Sequence, residues 1–394
     1  MWLRSLSLTD YRSYPQADID LTPGVTCFVG PNGQGKTNIV EAVNYLATLR
    51  SHRVAHDAPL VRDGATSALI RAQVQEEDRH VSLDLQINPG SANRARINRA
   101  SATARARDIL GIVRVVMFAP EDLEIIKGDP SVRRQFLDDI MIQRSPRMAG
   151  VKADYERVVK QRNALLKKAS QAPRKRGSAS REPDPYLEST LQVWDEQLCA
   201  LGAAITATRF SLVNELQPHV ARRYSEVASG GSASSDVTLH YLAKCLSPES
   251  DSDQNLLMHN EDFWREQLSG EVVRRRSDEI QRGISLVGPH RDELLVNLGP
   301  HPVKGYASHG ETWSAVLALR LASADVLRSD GVDPILILDD VFAELDTKRR
   351  ERLARMALEA TQTLITAAVA EDIPATLDGA RFSVRRGEVT GEAA

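Results

Sequence analysis

The chain has 394 residues, 42% apolar and 26% charged, and its 50 basic and 53 acidic side chains leave a formal charge of -3. At roughly 150 residues per domain this makes two or three folded units, and the apolar share excludes disordered, collagen-like and mini-protein classes. A near-neutral sum argues against a protein that coats nucleic acid along its whole surface, because such chains are strongly basic.

The first segments read as strands. Leu3, Leu6 and Leu8, then Ile19 and Leu21, recur at strand spacing, and Pro23-Gly24 turns the chain into the apolar run Val25-Thr26-Cys27-Phe28-Val29. Met1 to Ser5 carries no basic segment followed by an apolar one, so no secretory leader is expected. No apolar run approaches the roughly 18 residues of a membrane helix, and the expectation is a cytoplasmic protein without membrane contact. Cys27, Cys199 and Cys245 are odd in number and far apart, which suits buried thiols better than disulfides or a zinc site.

Gly30-Pro31-Asn32-Gly33-Gln34-Gly35-Lys36-Thr37 matches G-x-x-x-x-G-K-[ST] at every fixed position. It follows the apolar strand and opens a helical pattern carrying Ile39, Val40, Val43, Leu46 and Ala47, which is the context a phosphate loop requires. Glycines let successive backbone N–H groups turn inward on phosphates, and the helix adds its positive end. Lys36 is expected to reach the β- and γ-phosphates and the Thr37 hydroxyl to ligate Mg²⁺, so ATP and Mg²⁺ are the expected cofactors.

Strand patterns continue between 67 and 98, with Leu83, Leu85 and Ile87 in period 2, and again over Val113–Phe118. From about residue 150 the texture becomes helical, broken at 172–185, at Ser229–Ser235 and at the acidic stretch Ser247–Asn255. Strand signals return at Ile284-Ser285-Leu286-Val287 and at Pro334–Leu338. The latter run ends in Asp339-Asp340. A phosphate loop needs such a carboxylate at a neighbouring strand end, so Asp339 is the expected metal partner with Thr37, and Asp340 the group that polarises water, with Lys36 as the other catalytic residue. Because 303 residues separate Lys36 from Asp339, the helical middle must be an insertion. The expected division is 1–149 and 284–394 as two parts of one α/β head, with 150–283 as an inserted helical lobe.

Ser308-His309-Gly310-Glu311 opens another helical pattern, and 28 residues separate Glu311 from Asp339. By itself the string suits an ordinary helix cap or an anion-binding helix start. In this order it looks like the signature motif of ABC-type ATPases, with Glu344-Leu345-Asp346 in the place of the D-loop and Ile365-Thr366-Ala367 in that of a switch strand. The signature of one subunit of that class completes the nucleotide site of another, which implies an ATP-dependent homodimer.

Taken together, Thr9–Tyr14, Gly33–Asn38, Arg50–Arg53, Phe118–Leu123, Arg133–Asp138 and Gly288–Asp292 make the chain resemble, over nearly its full length, the RecF family of bacterial recombination mediators, relatives of the chromosome-maintenance SMC ATPases. The resemblance implies an ABC/SMC-type head, nucleotide contacts from Ser308, Gly310 and Arg12, and binding to single- and double-stranded DNA at gap junctions. It further implies partnership with RecO and RecR in helping RecA load, in replication restart and the SOS response. The family pattern has Gln where His309 stands and Gln-Arg where Thr312-Trp313 stand, which bears on dimer strength. ABC-type heads generally carry Glu at the position of Asp340, so slow, DNA-stimulated ATP hydrolysis suited to a switch is expected. A transport cassette and a small-molecule kinase are the competing readings; the long insertion argues against the first and the signature against the second.

Two stretches could meet DNA. Residues 152–181 carry Lys152, Arg157, Lys160, Arg162, Lys167, Lys168, Arg174, Lys175, Arg176 and Arg181 against Asp154 and Glu156, and 94–107 carry Arg94, Arg96, Arg99, Arg105 and Arg107 with no acid. Such clusters release counterions on binding phosphates, and a solvated helix face is the equal alternative. Compensating acids include Glu249, Asp251, Asp253, Glu261 and Asp262. His290-Arg291-Asp292 reads as a structural or DNA-facing turn.

Overall fold

Alternating burial builds the first sheet. In the computed structural model, which describes residues 1–100, 104–171, 185–228, 237–246 and 259–391, β1 (Trp2–Tyr11) and β2 (Tyr14–Asp20) form a hairpin and β3 (Gly24–Val29) departs into α1 (Lys36–Thr48). The chain then returns as β4 (Ala68–Glu76), β5 (Arg79–Ile87), β6 (Arg94–Ile97) and β7 (Ala104–Arg105), giving an antiparallel sheet of order β2-β1-β4-β5-β6-β7. Its inward residues, among them Leu6, Leu8, Ile70 and Leu85, pack with Ile39, Val43 and Leu46 of α1.

After β8 (Val115–Phe118) the helices follow: α2 (Glu124–Lys127), α3 (Pro130–Arg144), α4 (Arg147–Gln171) and α5 (Pro185–Ala228). Then come β9 (Val237–Leu242), α6 (Glu261–Arg282), β10 (Glu293–Leu298), β11 (His301–Pro302), α7 (Val303–Tyr306) and α8 (His309–Ser329). The run expected as a strand at Ile284–Val287 is irregular. The Ser285 and Leu286 N–H groups donate to the side chains of Asn163 (2.6 Å) and Glu279 (2.7 Å), so helix side chains satisfy a backbone that a strand neighbour would otherwise pair. The breaks at 172–184, 229–236 and 247–258, with Arg174, Lys175, Arg176, Arg181, Glu249, Asp251 and Asp253, lie outside the described residues.

The chain closes with β12 (Ile335–Asp339), α9 (Thr347–Ala357), β13 (Gln362–Ala367), β14 (Gly379–Arg385) and β15 (Glu388–Gly391). The central sheet has order β15-β14-β3-β13-β12-β8, with every pair parallel except the edge hairpin β14–β15. Strands from both ends of the chain thus share one sheet. Parallel strands are covered on both faces: Ile335 and Ile337 turn toward α1 and the antiparallel sheet, Leu336 and Leu338 toward α8 and the helices. α8, buried from Thr312 to Leu327 apart from Arg320, belongs to the same cluster as Leu198, Ile205, Leu212 and Leu216 of α5, so the helical lobe and the head share a core. β9 pairs with β10, joining strands on either side of residue 283.

Candidate nucleotide site

The eight-residue loop is held from behind. Gly35 sits at φ 112°, in the region glycine tolerates. A Cβ there would lie 2.7 Å from the Tyr14 hydroxyl and 2.9 Å from Ser13 Oγ, and Tyr14 donates to the Gly35 carbonyl at 3.0 Å. Gln34 is tied to the far edge of the sheet, its Oε1 accepting from the Arg386 N–H at 2.8 Å. Gly30 is crowded by the Val384 carbonyl, so no side chain fits there. Pro31 and Gly33 complete the turn. Lys36, 3% exposed, donates to the Pro31 carbonyl and Asn32 Oδ1, both at 3.3 Å.

The distant acids arrive through strand pairing. Asp339, the last residue of β12, stands opposite Thr366 of β13, which in turn stands opposite Phe28 of β3. Thr37 Oγ1 donates to Asp339 Oδ1 at 3.1 Å, and Thr366 Oγ1 donates to the same oxygen at 2.5 Å. Burial raises the Asp339 carboxyl to about 6; the two hydroxyls oppose that rise, while Asp340 and Glu121 add to it. Asp340 adopts φ 51°, uncommon outside glycine, with its N–H on the Thr366 hydroxyl at 3.0 Å. Burial also raises its carboxyl, and Lys36 opposes. Glu121 follows β8, which flanks β12, and so joins this acidic edge, a placement that no local pattern in the sequence announces.

Arg12 is engaged elsewhere. Its guanidinium forms a bidentate pair with Glu41 of α1 (2.8 and 2.6 Å) and donates to the Pro59 carbonyl at 3.0 Å. Its place is thus beside α1, one turn beyond the phosphate loop.

Ser308 is the N-cap of α8. Its hydroxyl accepts from the Glu311 N–H at 3.3 Å, while Glu311 accepts from the Ser308 N–H at 2.8 Å, a reciprocal capping box. Among the described residues no hydrogen bond joins Ser308 or Gly310 to the phosphate loop of the same chain. Gly310 instead faces Arg349 of α9: a Cβ would lie 2.9 to 3.2 Å from its guanidinium. Arg349 donates from Nε to Ser314 Oγ (3.2 Å) and from Nη1 to Asp346 Oδ2 (2.7 Å). One arginine, unmarked in the sequence reading, therefore ties the start of α8 to the cap of α9. His309 is exposed, and Trp313 is buried with its indole N–H unpartnered among the described residues.

The basic stretches divide. Arg162 is fully buried, bonded to Asp195 (2.8 Å), Glu279 (2.5 Å) and Ser285 (2.8 Å), so it is unavailable to DNA. Lys152 and Arg157 pair with Glu156 and Asp154. Lys160, Lys167 and Lys168 are exposed, as are Arg94, Arg96, Arg99, Arg105 and Arg107. The turn at 288–292 is largely structural: Asp292 accepts from Tyr241 (2.7 Å) and the Lys244 N–H (2.9 Å), and His290 Nδ1 lies 2.6 Å from the Tyr155 hydroxyl.

Residues 2–378 match the family described as the RecF/RecN/SMC N terminal domain. The chain is 54% identical over 389 residues to a DNA replication and repair protein RecF of Streptomyces avermitilis, covering 99% of each. It is 51% identical over 429 residues to that of a Nocardioides species, covering 100% of each. Among solved structures it resembles the recombination mediator protein RecF-ATP in the RecFOR pathway, with TM-score 0.85 and 25% identity over 100% of this chain and 98% of that one. An SMC head domain with an extended coiled coil from Pyrococcus furiosus shares the fold at TM-score 0.53 and 16% identity, over 100% of this chain and 96% of that one. With an ABC-type head split by a helical lobe, and full-length identity above one half, the chain belongs to the RecF family.

Proposed function

We propose that the chain is an ATP-switched DNA replication and repair protein, a homodimer when ATP is bound, that engages single-strand/double-strand junctions at gaps and works with RecO and RecR to help RecA load. The observation that carries the nucleotide reading is the Thr37–Asp339 hydrogen bond, which brings a loop hydroxyl and a strand-end carboxylate together across 302 residues. The relatives named for DNA replication and repair, and the structure of RecF-ATP in the RecFOR pathway, support ATP binding and a part in repair.

The residues fit ATP and Mg²⁺. Gly30, Gly33 and Gly35 leave the loop backbone unobstructed, Lys36 supplies a positive charge beside it, and Thr37 with Asp339 forms the hard oxygen pair that Mg²⁺ prefers. ATP with Mg²⁺ supplies a γ-phosphate that two protomers can share. On binding, Lys36 exchanges the Pro31 and Asn32 oxygens for phosphate oxygens, while Thr366 holds the Asp339 carboxylate in orientation. Ser308 and Gly310 of a second copy close over the phosphate with the helix N-terminus behind them. Asp340, one methylene shorter than glutamate, orients the attacking water, and turnover is slow.

Light scattering tests the switch: ATP converts monomer to dimer, and Ser308→Arg abolishes this while nucleotide affinity stays within about twofold. Dimerisation of that variant overturns the shared-site reading. For the DNA part, ATP-dependent binding to gapped duplex should exceed binding to blunt duplex and to single strands. Equal affinities that ignore ATP count against junction binding.

A further inference from the structure

We propose that the helical lobe carries a phosphodiester-binding cleft, formed by the end of β9, the face of α6 and the turn after it, and that this cleft is a contact for the DNA backbone. The proposal rests on the DNA reading above and assigns it a surface.

The cleft has a volume of about 280 Å³ and is lined by Lys244, Glu271, Arg275, Arg282, Leu286 and Arg291. Four of these are cations; Arg275 is held by Glu271 Oε1 at 2.8 Å and lies 3.6 Å from Asp278, and Glu271 Oε2 lies 2.7 Å from Arg274 Nη2, which leaves Lys244, Arg282 and Arg291 to set the charge of the cleft. Arg291 uses Nε and Nη2 on the Ser285 carbonyl, which leaves Nη1 unengaged among the described residues. The Lys244 ammonium and the Arg282 guanidinium are exposed and make no hydrogen bond or ion pair among the described residues. The arginines inside the lobe behave differently. Arg162 and Arg209 are buried and held by carboxylates, Asp195 and Glu279 for one and Asp138 for the other.

The positive surface extends past the cleft. Gly283, which ends α6, packs against the last turns of α4: a Cβ there would lie 3.3 Å from Lys167 Cα and 3.1 Å from Ser170 Oγ. Lys167 and Lys168 thus stand beside Arg282, and Lys160 lies two helical turns back on the side of Lys167. All three are exposed and unpaired among the described residues.

Cations gathered around one cleft repel each other, and an apolar wall such as Leu286 concentrates their field. A ligand that relieves this repulsion must offer several negative charges along a line. Double-stranded DNA carries about one charge per 1.7 Å of axis, and the guanidinium fork matches phosphate geometry. Among the described residues no aromatic side chain lines the cleft, so they offer no platform for base stacking, and the contact is to backbone without sequence preference.

The test uses the full chain with Lys244→Glu and Arg282→Glu combined. Neither side chain has an internal partner among the described residues, and the backbone bond from the Lys244 N–H to Asp292 does not depend on the side chain, so the fold should persist, which an unchanged melting temperature verifies. Anisotropy with a labelled gapped duplex should show affinity at least about tenfold weaker near 0.1 M salt, and a dependence of log Kd on log salt shallower by about 2. ATP affinity and ATP-driven dimerisation should be unchanged, and Lys244→Arg with Arg282→Lys should retain binding. Unchanged DNA affinity and slope in the charge-reversed chain overturn the proposal. So does loss of binding in Arg94→Glu with Arg96→Glu on β6 while the cleft variant binds normally, or loss of binding only to an acidic protein. If the unaltered chain binds no DNA at all, the DNA reading itself fails; if it binds and the cleft variant binds equally, only the cleft assignment fails.

Discussion

Single residues separate into those that hold charge inside and those that present it. Arg209 is buried and clamps Asp138 through bonds of 2.8 and 3.0 Å while donating to the Pro289 carbonyl at 2.8 Å. Arg209→Ala should cost about 3 to 5 kcal/mol in urea unfolding, because it strands a buried carboxylate whose remaining cation, Lys152, is 3.6 Å away. Arg209→Leu combined with Asp138→Asn should cost less than Arg209→Ala alone. His290 offers a pH test. Burial, with Arg291 and Arg134 adding to it, lowers its pKa from 6.5 to about 4. Between those values the unfolded chain binds a proton that the folded chain does not, so stability falls as pH drops from about 6.5 to 4 and is unaffected above. The shift corresponds to about 3 kcal/mol at the acid end, and His290→Gln should flatten that part of the pH–stability curve relative to the parent; an equally steep curve would refute the assignment. The strings Arg133–Asp138 and Gly288–Asp292 were readable in sequence, but their work was not. Arg133 meets Glu293 across 160 residues and Arg209 meets Asp138 across 71, and no local pattern announces such a pair.

At the scale of elements, the phosphate loop, α1, β12 and α8 were legible because each joins a strong local pattern to a fixed motif. The irregular run at 284–287 was misread because its residue types suit a strand, while its backbone bonds come from Asn163 and Glu279. The brace between α8 and α9 was invisible, since Arg349 lies in a charged run where any arginine reads as a solvated face. Its contacts with Ser314, Asp346 and the space before Gly310 fix how the start of α8 is presented. Arg349→Ala should therefore weaken ATP-driven dimerisation about tenfold or more with little change in nucleotide affinity. Mixing it with Lys36→Ala offers a sharper reading. A heterodimer of the two retains one site built from an intact loop and an intact signature, so ATPase should reappear on mixing; no recovery would show that Arg349 serves its own chain's nucleotide instead.

For the whole molecule, the charge sum of -3 conceals its layout. Carboxylates are spent inside on Arg162, Arg209 and Arg223, while Lys160, Lys167 and Lys168 of α4 are exposed and, on β6 and β7, Arg94 stands directly opposite Arg105. The insertion was deducible from the distance between Lys36 and Asp339, but the core shared by α5 and α8 was not, because periodicity shows that a helix has an apolar face and never what covers it.

The place of β3 has a consequence for biosynthesis. Its two neighbours in the central sheet are β13 and β14, which begin 333 and 350 residues after Val29. During translation the strand that leads into the phosphate loop waits without a partner on either side until more than 300 further residues have been made. At about 5 to 20 residues per second that wait lasts tens of seconds, during which an apolar strand edge is open to pairing with other chains. The hairpin β1–β2 and the strands β4 to β7 can assemble first around α1, so ATP binding must await the arrival of β13 and β14.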